Sequence, residues 1–130
     1  WEAWKRYIVD HLLKNGFIEK EDLKLFRIVK TVNDAIKYIE YFYRVYHSIR
    51  YVSGLTVIRL NKEISEKTLA LINQEFKDIL TSGEIKRSPP MNKEIQEGEY
   101  LKLSRIAMNF NMRDYGRLCE MIHVINRDKS

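Results

Sequence analysis

The chain has 130 residues, 45% of them hydrophobic, with 23 basic and 18 acidic side chains and a net charge of +5. A chain of this size buries roughly two-thirds of the surface its unfolded form exposes, so one domain with its own core is expected without staples. No apolar run approaches the ~20 residues of a membrane span, the opening residues are not a signal peptide, and the lone Cys119 excludes an internal disulfide and points to a reducing, cytoplasmic compartment.

Trp1, Trp4, Ile8 and Leu12 recur at helical spacing, and Gly16 stands where that helix ends. With Tyr7 and Ile8, the two tryptophans give this first helix more apolar surface than a terminal helix buries, so it is expected to pack against another chain or a neighbouring domain. Leu25 to Lys30, reading LFRIVK, alternates as a short strand does. Thr31 with Asp34 resembles a capping box. The seam Ala35, Ile39, Phe42, Tyr46 and Ile49 then predicts a long helix that closes at Ser53-Gly54. Leu55 to Leu60 is the best strand pattern in the chain, with Thr56, Ile58 and Leu60 on one face.

Ser65 is an N-cap residue for a helix carrying Leu69, Ile72, Phe76 and Ile79, closed by Gly83. Glu84 to Ser88 reads as a short strand. Pro89-Pro90 opens a loop to about Glu99. Arg105 to Asn111 alternates, with Ile106, Met108 and Phe110 inward, and Asp114 caps a last helix whose seam is Tyr115, Leu118, Ile122 and Ile125. The expected fold is α+β: four or so helices layered on a small mixed sheet of three to four strands.

Between Tyr41 and Leu60 there is no acidic residue. On the predicted helix Arg44, His47 and Arg50 share one edge, where two guanidinium forks and an imidazole would bind a phosphate or carboxylate; the plainer alternative is a helix end that Arg50 pins to an acid such as Glu40 or Asp78. A second acid-free stretch, Tyr100 to Arg113, places Arg105 near Arg113 and Arg117 as a secondary basic patch, or simply as a solvated face. The chain holds no Gly-rich phosphate loop, no cluster of Cys and His at metal-ligand spacing and no nucleophile elbow, so no catalytic residue, metal or cofactor is assigned. The charge excess suits a nucleotide, a nucleic acid or an acidic protein, and suits plain solubility at least as well.

Three segments, FYRVYHSIRYV followed by VIRL, LINQEFKDIL-x-x-G-x-I and FNMRDYGRLCEMIHVIN, resemble the C-terminal region of longer bacterial proteins of the LOG ("lonely guy") family, often labelled lysine-decarboxylase-like. The opening WEAWKRYIVDHLLKNGFI is similar to the last helix of that family's Rossmann domain. The resemblance implies that residues 1–30 are the tail of a preceding Rossmann-like domain and that 31–130 form an appended α+β domain. Enzymes of the family hydrolyse the N-glycosidic bond of nucleoside 5′-monophosphates through a P-G-G-x-G-T-x-x-E motif in the Rossmann domain. That motif does not occur in this chain, and Met112 and Cys119 stand where relatives are expected to carry basic residues. The implied role is an accessory, non-catalytic domain of a nucleotide-processing protein. The alternative is an independent basic module for nucleic acid or an acidic partner.

Overall fold

Tyr46 to Leu60 folds as a β-hairpin. Strand β1 (Tyr46–Val52) pairs with β2 (Leu55–Leu60), and Val52 faces Leu55 across the two-residue turn Ser53-Gly54. Both turn residues have left-handed backbones, with φ of 52° and 82°. That is the pattern of a turn whose twist matches the flanking strands, and glycine adopts it freely at the second position. The long helix expected up to Ser53 is therefore corrected. Helix α2 spans Val32–Phe42 only, and Tyr46 and Ile49, read as the end of its seam, lie on β1. A seam at three- and four-residue spacing cannot by itself exclude a strand once β-branched and aromatic residues crowd it. Val45, Ile49, Tyr51 and Val52 favour the pleated state when a partner such as β2 is one tight turn away.

The computed structural model describes residues 1–129. Before the hairpin come α1 (Glu2–Tyr7), continued by a π-helical stretch over Ile8–Leu13, and a 3₁₀ segment over Lys20–Leu25. After it come α3 (Glu66–Glu75), β3 (Leu80–Arg87), α4 (Asn92–Glu97), β4 (Ser104–Phe110) and α5 (Tyr115–Ile125). The fold is α+β, as expected, but the sheet is wholly antiparallel, not mixed, with strand order β1-β2-β4-β3. Helix α3 connects β2 to β3, which run parallel to each other. Strand β4 inserts between them, antiparallel to both, so no parallel pair is adjacent: a split crossover.

One sheet face carries Ile58, Leu60, Ile106, Met108 and Phe110 against Ile72 and Phe76 of α3 and Leu118, Met121, Ile122 and Ile125 of α5. The inward set assigned to β4 is the buried one. Asn126, fully buried, finishes the core at its polar end. Its Oδ1 accepts from the amides of Val45 and Tyr46 at 2.9 and 3.0 Å, and its Nδ2 donates to the Phe42 carbonyl. Buried backbone amides need such partners, and here one side chain supplies them where α2 gives way to β1.

Four further expectations are corrected. The LFRIVK segment pairs with no strand: the 3₁₀ segment holds it to α5, where Cys119 Sγ donates to the Lys24 carbonyl at 3.3 Å. Gly83 does not close α3 but lies inside β3, where the pairing register shifts. Asn73 fills that irregularity, accepting from the Ile85 amide at 2.7 Å and donating to its carbonyl at 2.8 Å. The loop after Pro89-Pro90 contains α4, and at the start of α5 Asp114 holds the capping position without a side-chain bond to the helix; Asn111 Oδ1 accepts from the Arg113 and Asp114 amides instead.

Candidate functional site

The far side of the sheet from α3 and α5 carries Arg50, Arg59 and Arg105, and the structure pairs all three with acids. The segment from Met91 to Leu103 crosses this face. Glu94, fully buried, receives Arg59 Nε at 2.8 Å and Arg105 Nε at 3.1 Å. Arg59 Nη2 lies 2.7 Å from the same carboxylate, within ion-pair range but poorly aimed for a hydrogen bond. Arg105 also donates to the carbonyls of Leu103 and Tyr100, at 2.5 and 2.9 Å. Arg50 is held by Glu97 and, at 3.4 Å, by Glu99. Three arginines from β1, β2 and β4 thus meet three glutamates from one short stretch. Glu94 itself is fixed by helix geometry: it sits in the first turn of α4 and accepts the Met91 amide at 3.0 Å. Burial pushes its carboxyl upward, but the Met91 amide and the Arg59 and Arg105 guanidiniums outweigh that and hold it below the usual glutamate range.

The site expected at Arg44, His47 and Arg50 is accordingly corrected in geometry. No helical edge joins them, because His47 and Arg50 lie on β1. Arg44 donates to the Asn126 and Asp128 carbonyls. His47 sits where the β1–β2 register shifts by one residue, with Nδ1 2.9 Å from Ser48 Oγ and its ring 4.7 Å from that of Tyr100. Arg50 pairs with acids, although Glu97 and Glu99 take the place foreseen for Glu40 or Asp78. The secondary patch also separates. Arg105 is buried, Arg113 is exposed beside Asp114, and Arg117 is clamped by Asp78 at 3.0 Å and Glu120 at 2.8 Å. Arg113 and Arg117 do line one cleft of about 250 Å³, but Glu19, Glu21 and Asp22 line it too.

The open cationic concavity lies elsewhere. A cleft of about 380 Å³ runs between the Arg27–Val29 segment and α2, lined by Arg27, Asp34, Lys37, Tyr38 and Tyr41. Arg27 lies 5.0 Å over the Tyr38 ring. His123 of α5 contacts two of the lining residues, with Nε2 3.3 Å from the Tyr38 hydroxyl and its ring stacked on Tyr41 at 6.3 Å. Burial, followed by the charges of Arg127, Arg27 and Lys24, holds His123 below its ordinary range, so it is neutral at pH 7. Sequence reasoning missed this cleft, because its lining comes from two segments that each look unremarkable alone.

The remaining feature is apolar. Eleven of the eighteen exposed large hydrophobics fall in the first 43 residues, a third of the chain, and Ile8 is the one buried residue there. Val32, Ile36, Ile39 and Tyr43 form a stripe at four-, three- and four-residue spacing along α2, with Val32 77% and Ile39 55% exposed. A groove of about 370 Å³ adjoins, formed by Trp1, Trp4 and the Phe26–Val29 segment.

Among the described residues no helix is long and apolar enough to cross a membrane, and no group of three or more His, Cys, Asp or Glu is placed to hold a metal ion. No protein-family model, no curated protein and no solved structure matches this chain.

Proposed function

We propose that this chain is an accessory, non-catalytic α+β domain of a LOG-like nucleotide-processing protein, docked through residues 1–43 to the protein's Rossmann-like domain or to a second copy of itself. The kinship rests on the sequence resemblance. The observation that carries the docking is the exposed apolar surface of α1 and α2, including Trp1 at 85% exposure. A folded chain that leaves an amphipathic helix uncovered on its apolar side presents an interface. The second reading, an independent basic module for nucleic acid or an acidic protein, is disfavoured by the pairing of Arg50, Arg59 and Arg105 with glutamates.

Light scattering tests the docking, with the chain at micromolar concentration alone and mixed with a LOG-type Rossmann domain carrying the P-G-G-x-G-T motif. A homo-oligomer or a complex is expected, weakened at least about tenfold by the double substitution Ile36→Glu with Ile39→Glu. Both residues are surface-exposed, so the variant should retain its fold. A native chain that stays monomeric and unbound in both mixtures would overturn the docking.

A further inference from the structure

We propose that the cleft between Arg27 and α2 is a binding site for a small phosphomonoester, with Arg27, Lys37 and the hydroxyls of Tyr38 and Tyr41 as its donors. The cleft lies within the same N-terminal layer as the proposed docking surface and shares the Arg27–Val29 segment with its groove, but the inference rests on cationic and phenolic side chains and not on the exposed apolar ones. Among the described residues neither Arg27 nor Lys37 forms an ion pair, although all the arginines of the sheet do. Two unmatched cations therefore face one concavity of about 380 Å³. The single acid on its wall, Asp34, is partly engaged: its Oδ2 accepts the Thr31 hydroxyl at 2.8 Å. A guanidinium and an ammonium, from two different elements, with two phenols beside them, suit a tetrahedral oxyanion better than a flat carboxylate, since several oxygens can be met from different directions. The ring faces of Tyr38 and Tyr41 are already taken by Arg27, His123 and Arg44, so they offer edges and hydroxyls rather than a stacking platform. That selects the phosphoryl group, not an aromatic ring, as the recognised part.

His123 does not line the cleft but touches two residues that do, Tyr38 and Tyr41, and this has a second consequence. A neutral imidazole carries one N–H, on either nitrogen. If Nε2 accepts from Tyr38, the phenol proton is spent and its oxygen lone pairs face the cleft. If Nε2–H donates to the Tyr38 oxygen, that hydroxyl proton is free to point at a bound anion. Phosphate in the cleft therefore favours the tautomer protonated at Nε2, through a contact of 3.3 Å in the free protein.

The test is a nitrogen-edited NMR titration of the imidazoles in the full chain, which has only three histidines, His11, His47 and His123. Inorganic phosphate, glycerol phosphate and phenyl phosphate are the probes. A saturable shift confined to His123, towards the Nε2-protonated tautomer and of similar affinity for the two esters, is expected. Arg27→Gln or Lys37→Gln should weaken it about tenfold to a hundredfold, as loss of a charge-assisted bond does. Asp34→Asn should tighten it, and Arg6→Gln, on α1, should leave it unchanged. No saturation, equal movement of all three histidines, or an undiminished shift in Arg27→Gln would overturn the site. A clear preference for phenyl phosphate would overturn the exclusion of ring stacking.

Discussion

Glu94 shows how one side chain can convert three surface-looking cations into structure. Its carboxylate is buried, so each arginine beside it is also the solvent it has lost. Removing the charge strands Arg59 and Arg105. Glu94→Gln or Glu94→Ala should cost about 3–5 kcal/mol, much of what a domain of this size has in hand, as read by urea unfolding; a cost below about 1 kcal/mol would show that the arginines find water instead. The same carboxylate gives a sign to acid sensitivity. Its folded pKa lies below the ordinary glutamate value of 4.5, so its stabilisation is complete above that pH and drains away as pH falls below it. Asp78, lowered chiefly by its bond from Arg117, adds to the same trend but more weakly because it is half exposed. The stability gap between native chain and Glu94→Gln should therefore narrow below about pH 4.5 and hold steady from pH 5 to 7. Little at this scale was legible beforehand. The arginines were visible, but the stretch after Pro89-Pro90 reads as a loop and not as the helix that carries Glu94, and nothing in the order of residues says which carboxylate ends up inside.

At the scale of elements, the spacing rules served well where one state was clearly preferred. The bounds of β2, the N-caps Thr31 and Ser65, and the inward face of β4 follow from local pattern. They failed where two states compete. Tyr46 to Val52 fits a helical seam and a strand equally, and the partner strand decided. The segment before α2 was settled by a close approach. Gly116 on α5 faces the backbone of Glu21 and Asp22, and a Cβ there would lie 2.8 Å from the Asp22 amide nitrogen and closer still to the Glu21 carbonyl. Backbone cannot yield as a side-chain tip can. Gly116→Ala should destabilise the chain by about 1–3 kcal/mol or lift the 3₁₀ segment from α5. Amide exchange separates these: faster exchange at residues 19–25 alone signals undocking, and unchanged stability with unchanged exchange would contradict the approach drawn here.

Over the whole molecule, a closed core of sheet, α3 and α5 carries an N-terminal layer whose apolar side is uncovered. The sheet pairs its arginines with acids on one face and is apolar on the other, and the cationic cleft opens in the N-terminal layer beside α2. Without the phosphate-cradling motif of the family it resembles, the isolated chain should release no base from AMP or CMP; release that disappears in His123→Ala would mean that the cleft is catalytic after all. Composition and periodicity alone determined that this is an α+β domain with a core of its own, a strand at 55–60 and another over 105–111 that the structure shifts by one residue to 104–110, and a first helix richer in apolar surface than it can bury, because each is a property of local residue order. Only the tertiary structure decided that Arg50, Arg59 and Arg105 are paired with glutamates, that the sheet is antiparallel, and that Arg27 and Lys37 stand outside the ion pairs of the described residues. Those outcomes depend on which strand inserts beside which and which acid reaches which base, and contacts made between residues far apart in the chain leave no periodic trace within any one segment.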